Sequence, residues 1–345
     1  MRLHLGLWSV GMACLVGAIP AFAQSVSSGS AQQTTLTVGA GGQYQTISAA
    51  VAAADADTNP SHRYVIEVAP GTYINDFPLV TRPMTIMANR NAGSGNVILE
   101  ATEDLPNEKG IIRTKASLTV NGLVFTGAHI DDSLGGNGTG IRDQNTGPAR
   151  LIVQNSTFVG NQEGILTQAD PGETITIVNS RFRNNGNPNG SGQEHALYVG
   201  AAGSLSVSNS LFCGVLYGHD IKSRAAVTTV ANDKLYDGQG NAALGCNAGS
   251  TSYAIDVPNG GVVTITGNQI MQGNAAQNHN MVDYGAEGLA YSDNSLLVTG
   301  NDFTSTATFH TTAIFDPHCI TAQLSGNTFQ GVDTIINPAN CAVFQ

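Results

Sequence analysis

Tryptophan is almost missing from this chain: the only one is Trp8, inside the first two dozen residues. Phe, Tyr and Trp together make up 6% of the sequence, which leaves little material for the aromatic platforms of a passive sugar-binding surface. Charge is scarce as well, and lopsided. There are 14 Lys and Arg against 25 Asp and Glu, and Arg2 is the only charged residue of the first 23. The remainder therefore carries 13 cations and a balance of −12. An acidic surface repels phosphate backbones and anionic lipid, so neither nucleic acid nor a membrane is expected as a partner. No apolar run after residue 23 is long enough to cross a bilayer.

What the chain does have is glycine, 41 of them, with Asn, Ser and Thr around short β-branched runs. That composition suits stacked short strands and turns rather than helices. The exception is the start. Arg2, an apolar run from Leu3 to Ile19 and Ala21-Phe22-Ala23 before Gln24 read as a secretory signal peptide cleaved after Ala23. A secreted or periplasmic protein is expected, with residues 24–35 as a flexible, Ser/Gln/Thr-rich leader and one domain over 36–345. Cys213, Cys246, Cys319 and Cys341 remain, and export makes two disulfides the expectation. Proximity suggests Cys213–Cys246 and Cys319–Cys341, with other pairings open.

Repetition dominates the rest. LTVNGLVF (118–125), LIVQNSTF (151–158), ITIVNSRF (175–182), LSVSNSLF (205–212), VTITGNQI (263–270), LLVTGNDF (296–303) and AQLSGNTF (322–329) share one pattern, with TTVANDKL (228–235) a weaker copy. The Asn or Gly at its centre recurs every 23 to 35 residues, from Gly122 to Gly326. A fixed minimum with irregular excess is the signature of a solenoid, in which each coil needs a set length and surplus residues loop out. Asn suits a corner because it tolerates left-handed backbone and can bond its copies in neighbouring coils. The predicted fold is an all-β parallel β-helix.

A second strand type carries the chemistry. GIRDQ (140–144), GILTQ (164–168), HALYVG (195–200), HDIKSR (219–224), YAIDVP (253–258), NMVDYG (280–285) and TAIFDP (312–317) align on one aliphatic position, from Ile141 to Ile314. The next position then reads Arg142, Leu166, Tyr198, Lys222, Asp256, Asp283 and Phe315, a column of outward side chains spaced by about 4.8 Å. Strict alternation puts Asp220, Lys222 and Arg224 on the outer side and Ile221 and Ser223 on the inner. His195 and His219 flank the cations. Tyr253, His279, Asp283 and Glu287 would border the face and, with Asp220, contact substrate. The plain alternative is an ion-pair ladder, Lys222 with Asp256 and Arg224 with Asp220.

Such a group suits β-elimination on a uronic acid. Lys222 is the expected base, Arg224 the fork for the substrate carboxylate, and Tyr198 or His195 the acid for the leaving oxygen. Asp256 completes the set. Hydrolysis by Asp256 and Asp283 on neighbouring coils is the second reading, and a non-catalytic carbohydrate-binding β-helix the third. The expected partner is an acidic polysaccharide, for a monomeric protein. Calcium is the one cofactor considered, with Asp256, Asp283 and Glu287 as oxygen ligands.

The helix QTISAAVAAA (45–54) and the turn APGTY (69–73) resemble the cap and first coil of the pectin-lyase-like right-handed β-helix proteins. That resemblance implies right-handed coils and an N-terminal capping helix that covers an otherwise open edge. Lys222-Ser223 is similar to the "KS" strand of the β-helix alginate and chondroitin lyases, in which the Lys is the base. The Arg that those lyases carry one coil on is Asp256 here. Of the polygalacturonase motifs only Gly218-His219 and the two cations have counterparts. The pectin methylesterase WGR motif has none.

Overall fold

The computed structural model describes residues 32–187, 189–190, 194–320 and 322–344. The signal-peptide reading, and the leader up to Ala31, lie outside those residues. The chain winds through three walls of parallel strands. The first wall has 12 strands, from Gln33–Val38 to Ala342–Phe344; the second has 10, from Gly71–Ile74 to Thr328–Gln330; the third has 10, from Leu79–Val80 to Thr334–Asn337. Each strand pairs with its counterpart one coil away. This is the parallel β-helix expected from the repeat. Gln33, Thr34 and Thr35, expected in the leader, instead pair with Arg63, Tyr64 and Val65 in the first wall.

The helix Ile47–Asp55 caps the open end. Thr46 starts it by accepting the amide of Ala49, and the Asp76 carboxylate takes the amides of Ile47 and Ser48 at its N-terminus, where the helix dipole favours an anion. Its buried face is Ile47, Ala50, Val51 and Ala54, the set that the 3.6-residue period selects.

The corner between the first and second walls is where the central Asn or Gly sits. Asn155, Asn179, Asn209 and Asn232 have φ between 50° and 59°, the left-handed backbone anticipated for them. The bonding between copies is made elsewhere. The amides of Ser156 and Ser180 bond the hydroxyls of Ser180 and Ser210, the Ser210 amide bonds Asp233, and the ladder continues through Asn268, Asn301 and Asn327. These are the residues one position further on. A left-handed residue turns its own side chain to solvent and its successor inward, so the buried ladder falls to the successor.

Inside, Phe125, Phe158, Phe182 and Phe212 stack on consecutive coils with ring centroids 4.6–4.8 Å apart, the spacing the strands impose. Room for the rings comes from Gly140 and Gly164, in the third-wall strands Thr139–Asp143 and Glu163–Thr167. A Cβ on either would lie 2.7–2.8 Å from a ring carbon of Phe158 or Phe182. Cys213–Cys246 and Cys319–Cys341 are the two disulfides. Among the described residues no helix is long and apolar enough to cross a membrane.

Candidate functional site

The register of the third wall is the one read from sequence. Ile141, Ile165, Leu197, Ile221, Ile255, Val282 and Ile314 pair in turn and are fully buried, and Arg142, Leu166, Tyr198, Lys222, Asp256, Asp283 and Phe315 pair beside them. Tyr198, Lys222, Asp256 and Asp283 therefore stand on four successive coils of one face. It is not an open face. Lys222 is 7% exposed, Asp256 3% and Asp283 1%, because the loop after Tyr284 folds across them. Tyr284 itself, the residue after Asp283, fills the core and donates its hydroxyl to the Gly261 carbonyl at 2.8 Å.

Charges on the face are closed into a network. Lys222 Nζ lies 2.9 Å from Asp256 Oδ2 and 3.5 Å from Glu287 Oε1. Arg224 holds the same Glu287 carboxylate as a fork, with Nη1 2.6 Å from Oε2 and Nη2 3.0 Å from Oε1. Its Nε donates to the Tyr198 hydroxyl at 2.9 Å, and its Nη1 also reaches Asn259 Oδ1. Glu287 is half exposed, more so than the Arg224 side chain at 23%, and the cations hold its carboxyl below the usual range.

The histidines lie beneath this network. His219 Nδ1 accepts the Tyr253 amide at 3.2 Å, so its ring proton is on Nε2, which faces Asp256 Oδ2 at 3.2 Å. His195 Nδ1 accepts the His219 amide, and the two rings stack 4.6 Å apart. Burial lowers the pKa of both, that of His219 to about 4, so both rings are neutral at pH 7. His195 is 1% exposed and touches Tyr198 edge-on, below the surface a leaving group would reach. Tyr253 covers His219 from the next coil, its hydroxyl pKa raised by burial to about 12.

Asp283 lies beside Asp256, and their carboxyls share a contact that a single proton makes favourable. Burial and the Asp256 charge push Asp283 up to about 8, and Asp256 faces Lys222 and His219 on its other side. A second shared-proton pair lies in the core. Asn145 Nδ2 bonds one oxygen each of Asp143 and Glu173 at 2.6 and 3.1 Å, and burial beside Asp143 raises Glu173 to about 9.

These raised carboxyls predict the pH dependence of stability. The folded chain keeps protons on Asp283 and Glu173 that the unfolded chain releases above about pH 4. Their contribution is fully present below that value and is lost as pH rises through about 8 to 9. The urea midpoint is expected to fall between pH 6 and 9, and Glu173→Gln to fall less steeply than wild type. Parallel curves would show that Glu173 already carries its charge in the folded protein.

Two expected members are elsewhere. Asp220 is 0% exposed and makes no contact with Arg224 or Lys222; its neighbour in the interior is Asp237. Alternation fails there because the strand is only Ile221–Ser223 and the chain bends just before it. At the equivalent position other coils carry Gly140, Gly164 and Ala196, and a Cβ on either glycine would meet a ring of the Phe stack. The partner of Arg224 is thus Glu287, not Asp220. His279 is exposed and stacks on Phe309 at 4.7 Å, away from the network. Asn259 and Tyr291, whose hydroxyl donates to the Arg224 carbonyl, are the residues that sequence reading missed. Both sit in loops with no repeat to mark them. Asp256 and Glu287 are turned onto cations rather than toward a common centre, which does not suit the oxygen cage calcium needs. Among the described residues no three His, Cys, Asp or Glu side chains are grouped to hold a metal.

No family model matches the chain, and no curated protein matches it in sequence. Among solved structures it is similar to ORF18 of Geobacillus virus E2, at 13% identity and a TM-score of 0.47 over 84% of this chain and 55% of that one. It is similar to the tailspike gp49 of Acinetobacter baumannii bacteriophage Fri1, a capsular polysaccharide depolymerase, at 10% identity, TM-score 0.43, over 92% of this chain and 62% of that one. The Dettilon tailspike protein gp208 matches at 11% identity, TM-score 0.37, over 84% of this chain and 64% of that one. The chain spans between half and two thirds of the length of these neighbours.

Proposed function

We propose that the protein acts on a polysaccharide that carries uronic acids, by β-elimination at the Tyr198–Lys222–Arg224 face. The observation that carries this is the position of the Glu287 carboxylate. Arg224 and Lys222 together hold a carboxylate, and the fork that holds it is hydrogen-bonded to a phenol. Elimination needs that combination: a cationic grip that stabilises the carboxylate as it takes up charge from C5, next to a group that moves a proton. A substrate carboxylate displaces Glu287, which is the exposed partner. The Tyr198 hydroxyl, held by Arg224 Nε, gives its proton to the glycosidic oxygen as the C4–O bond breaks and takes the C5 proton in its place. Lys222, with two carboxylate partners, then serves as part of the grip rather than as the base. Asp256 orients it.

Hydrolysis is the second reading, favoured by one observation: Asp256 and Asp283 pair on neighbouring coils, and burial beside Asp256 pushes the Asp283 carboxyl up to about 8. A panel of polygalacturonate, alginate and hyaluronan separates the readings. Absorbance from a new sugar double bond means elimination; new reducing ends without it mean hydrolysis; retention without cleavage means a binding module. Arg224→Ala is expected to lower kcat by about 10²–10³, the usual loss for one preorganised charge-stabilising donor. Arg224→Lys would recover only part of it, since a lysine cannot form the fork. Unchanged turnover in Arg224→Ala would remove the face from the mechanism.

A further inference from the structure

Where the Lys222 face is closed, another face of the solenoid is open. On the outer side of the second wall, a cleft of about 420 Å³ runs across the strands Arg181–Arg183, Leu211–Cys213 and Lys234–Asp237. Arg181, Leu211 and Lys234 pair in register on three successive coils. The two cations therefore stand about 9.6 Å apart at the backbone, two coil spacings, with an apolar side chain between them. Both are exposed. Among the described residues, the Lys and Arg side chains in ion pairs are those of Arg82, Lys222 and Arg224, so Arg181 and Lys234 face the cleft without a carboxylate. In a chain with nearly two acids per cation, this is a local positive spot in a negative field.

The edges of the cleft are built for hydroxyl groups and fixed in place. Asn179, Asn209 and Asn232 line one side, their left-handed backbone turning the amides outward. Leu244 forms the other side, on a loop tied down by the Cys213–Cys246 disulfide. Arg183 Nη1 donates to the Leu244 carbonyl at 3.1 Å, and Asn184 bonds Gly245 and Asn247 at 3.1 and 2.9 Å. A wall held this way loses little freedom when a ligand arrives. Beyond Lys234 the same column continues with Gln269, Asp302 and Thr328, so the positive stretch covers three coils.

We infer that this cleft is an anchoring site for an anionic polysaccharide, separate from the Lys222 face. A pyranose unit is about as long as the coil spacing. Arg181 and Lys234 therefore match acid groups on alternate sugars, the half-buried Leu244 the apolar face of the sugar between them, and the three asparagines the ring hydroxyls. A polynucleotide fits less well, because it needs many phosphate contacts and stacking aromatics, and the cleft offers two cations and no ring.

The test is binding of the full chain to size-graded hyaluronan oligomers, in which acidic and neutral sugars alternate, with dextran and single-stranded DNA as comparisons. The Arg224→Ala background keeps the Lys222 face from contributing, so failure here and failure of the elimination reading are distinguishable. Affinity is expected to rise with length until the oligomer spans both cations and then level off. Arg181→Glu and Lys234→Glu are each expected to weaken binding at least about tenfold, as opposed charges at a preorganised contact do. Arg181→Gln and Lys234→Gln, with unfolding midpoints at the wild-type value, separate lost charge from lost fold. Affinity unchanged in the double Glu variant, no binding of any oligomer, or equal binding of dextran or DNA would overturn the assignment.

Discussion

Asp256→Ala is expected to destabilise the protein by about 3 kcal/mol. Removing one partner of a buried ion pair typically costs about 3–5 kcal/mol, because the other charge is left in a poor dielectric. Here the stranded groups are the Lys222 ammonium, 2.9 Å from the lost oxygen, and the His219 Nε2–H at 3.2 Å. The lower end of that range applies, since Glu287 remains 3.5 Å from Lys222. The loss also removes the charge that raises Asp283, so Asp283 should titrate closer to an ordinary carboxyl. Replacing both members of the pair, as Lys222→Met with Asp256→Ala, is expected to restore most of the stability, because no buried charge is then unpaired. Urea denaturation of the two single variants and the pair measures the coupling. If the pair is as unstable as Asp256→Ala alone, the ion pair is not what Asp256 contributes. A pair that regains stability without regaining turnover would mark Lys222 and Asp256 as functional.

Phe182→Ala is expected to cost more, about 3–5 kcal/mol. Phe182 is fully buried and stacked on both sides, 4.7 Å from Phe158 and 4.6 Å from Phe212. Its removal forfeits contacts with both rings and with Gly164, whose missing Cβ makes room for it. Relaxation cannot close the gap, since the rings are set by strands hydrogen-bonded at a fixed spacing. Phe329, half-buried and stacked on one side against Phe303 at 5.2 Å, is the comparison, and Phe329→Ala is expected to cost clearly less. Equal losses at the two positions would mean that the stack behaves as separate coils rather than one core.

Both experiments depend on features of unequal visibility in the sequence. The coil repeat, the capping helix and the register of the third wall could all be read directly. Each follows from a local requirement that recurs: an aliphatic residue must face the core once per coil, and a one-residue slip would expose every one of them. Because the register was legible, so was the column of Tyr198, Lys222, Asp256 and Asp283. The same reasoning misplaced Asp220. Alternation holds only within a strand, and the bend before Ile221 turns its predecessor inward. It also assigned the corner ladder to the left-handed asparagines, when their successors make it.

What the sequence by itself determined is which residues stand above one another, since parallel stacking turns spacing along the chain into neighbours in space. What only the tertiary structure decided is what crosses that stack from outside. Glu287 lies 63 residues from Arg224, in a loop outside any repeat, yet its carboxylate closes the charge network and covers the face. The Cys246 loop makes a cleft on the second wall of the same coils. Loops carry no periodicity, so where they land depends on the finished solenoid.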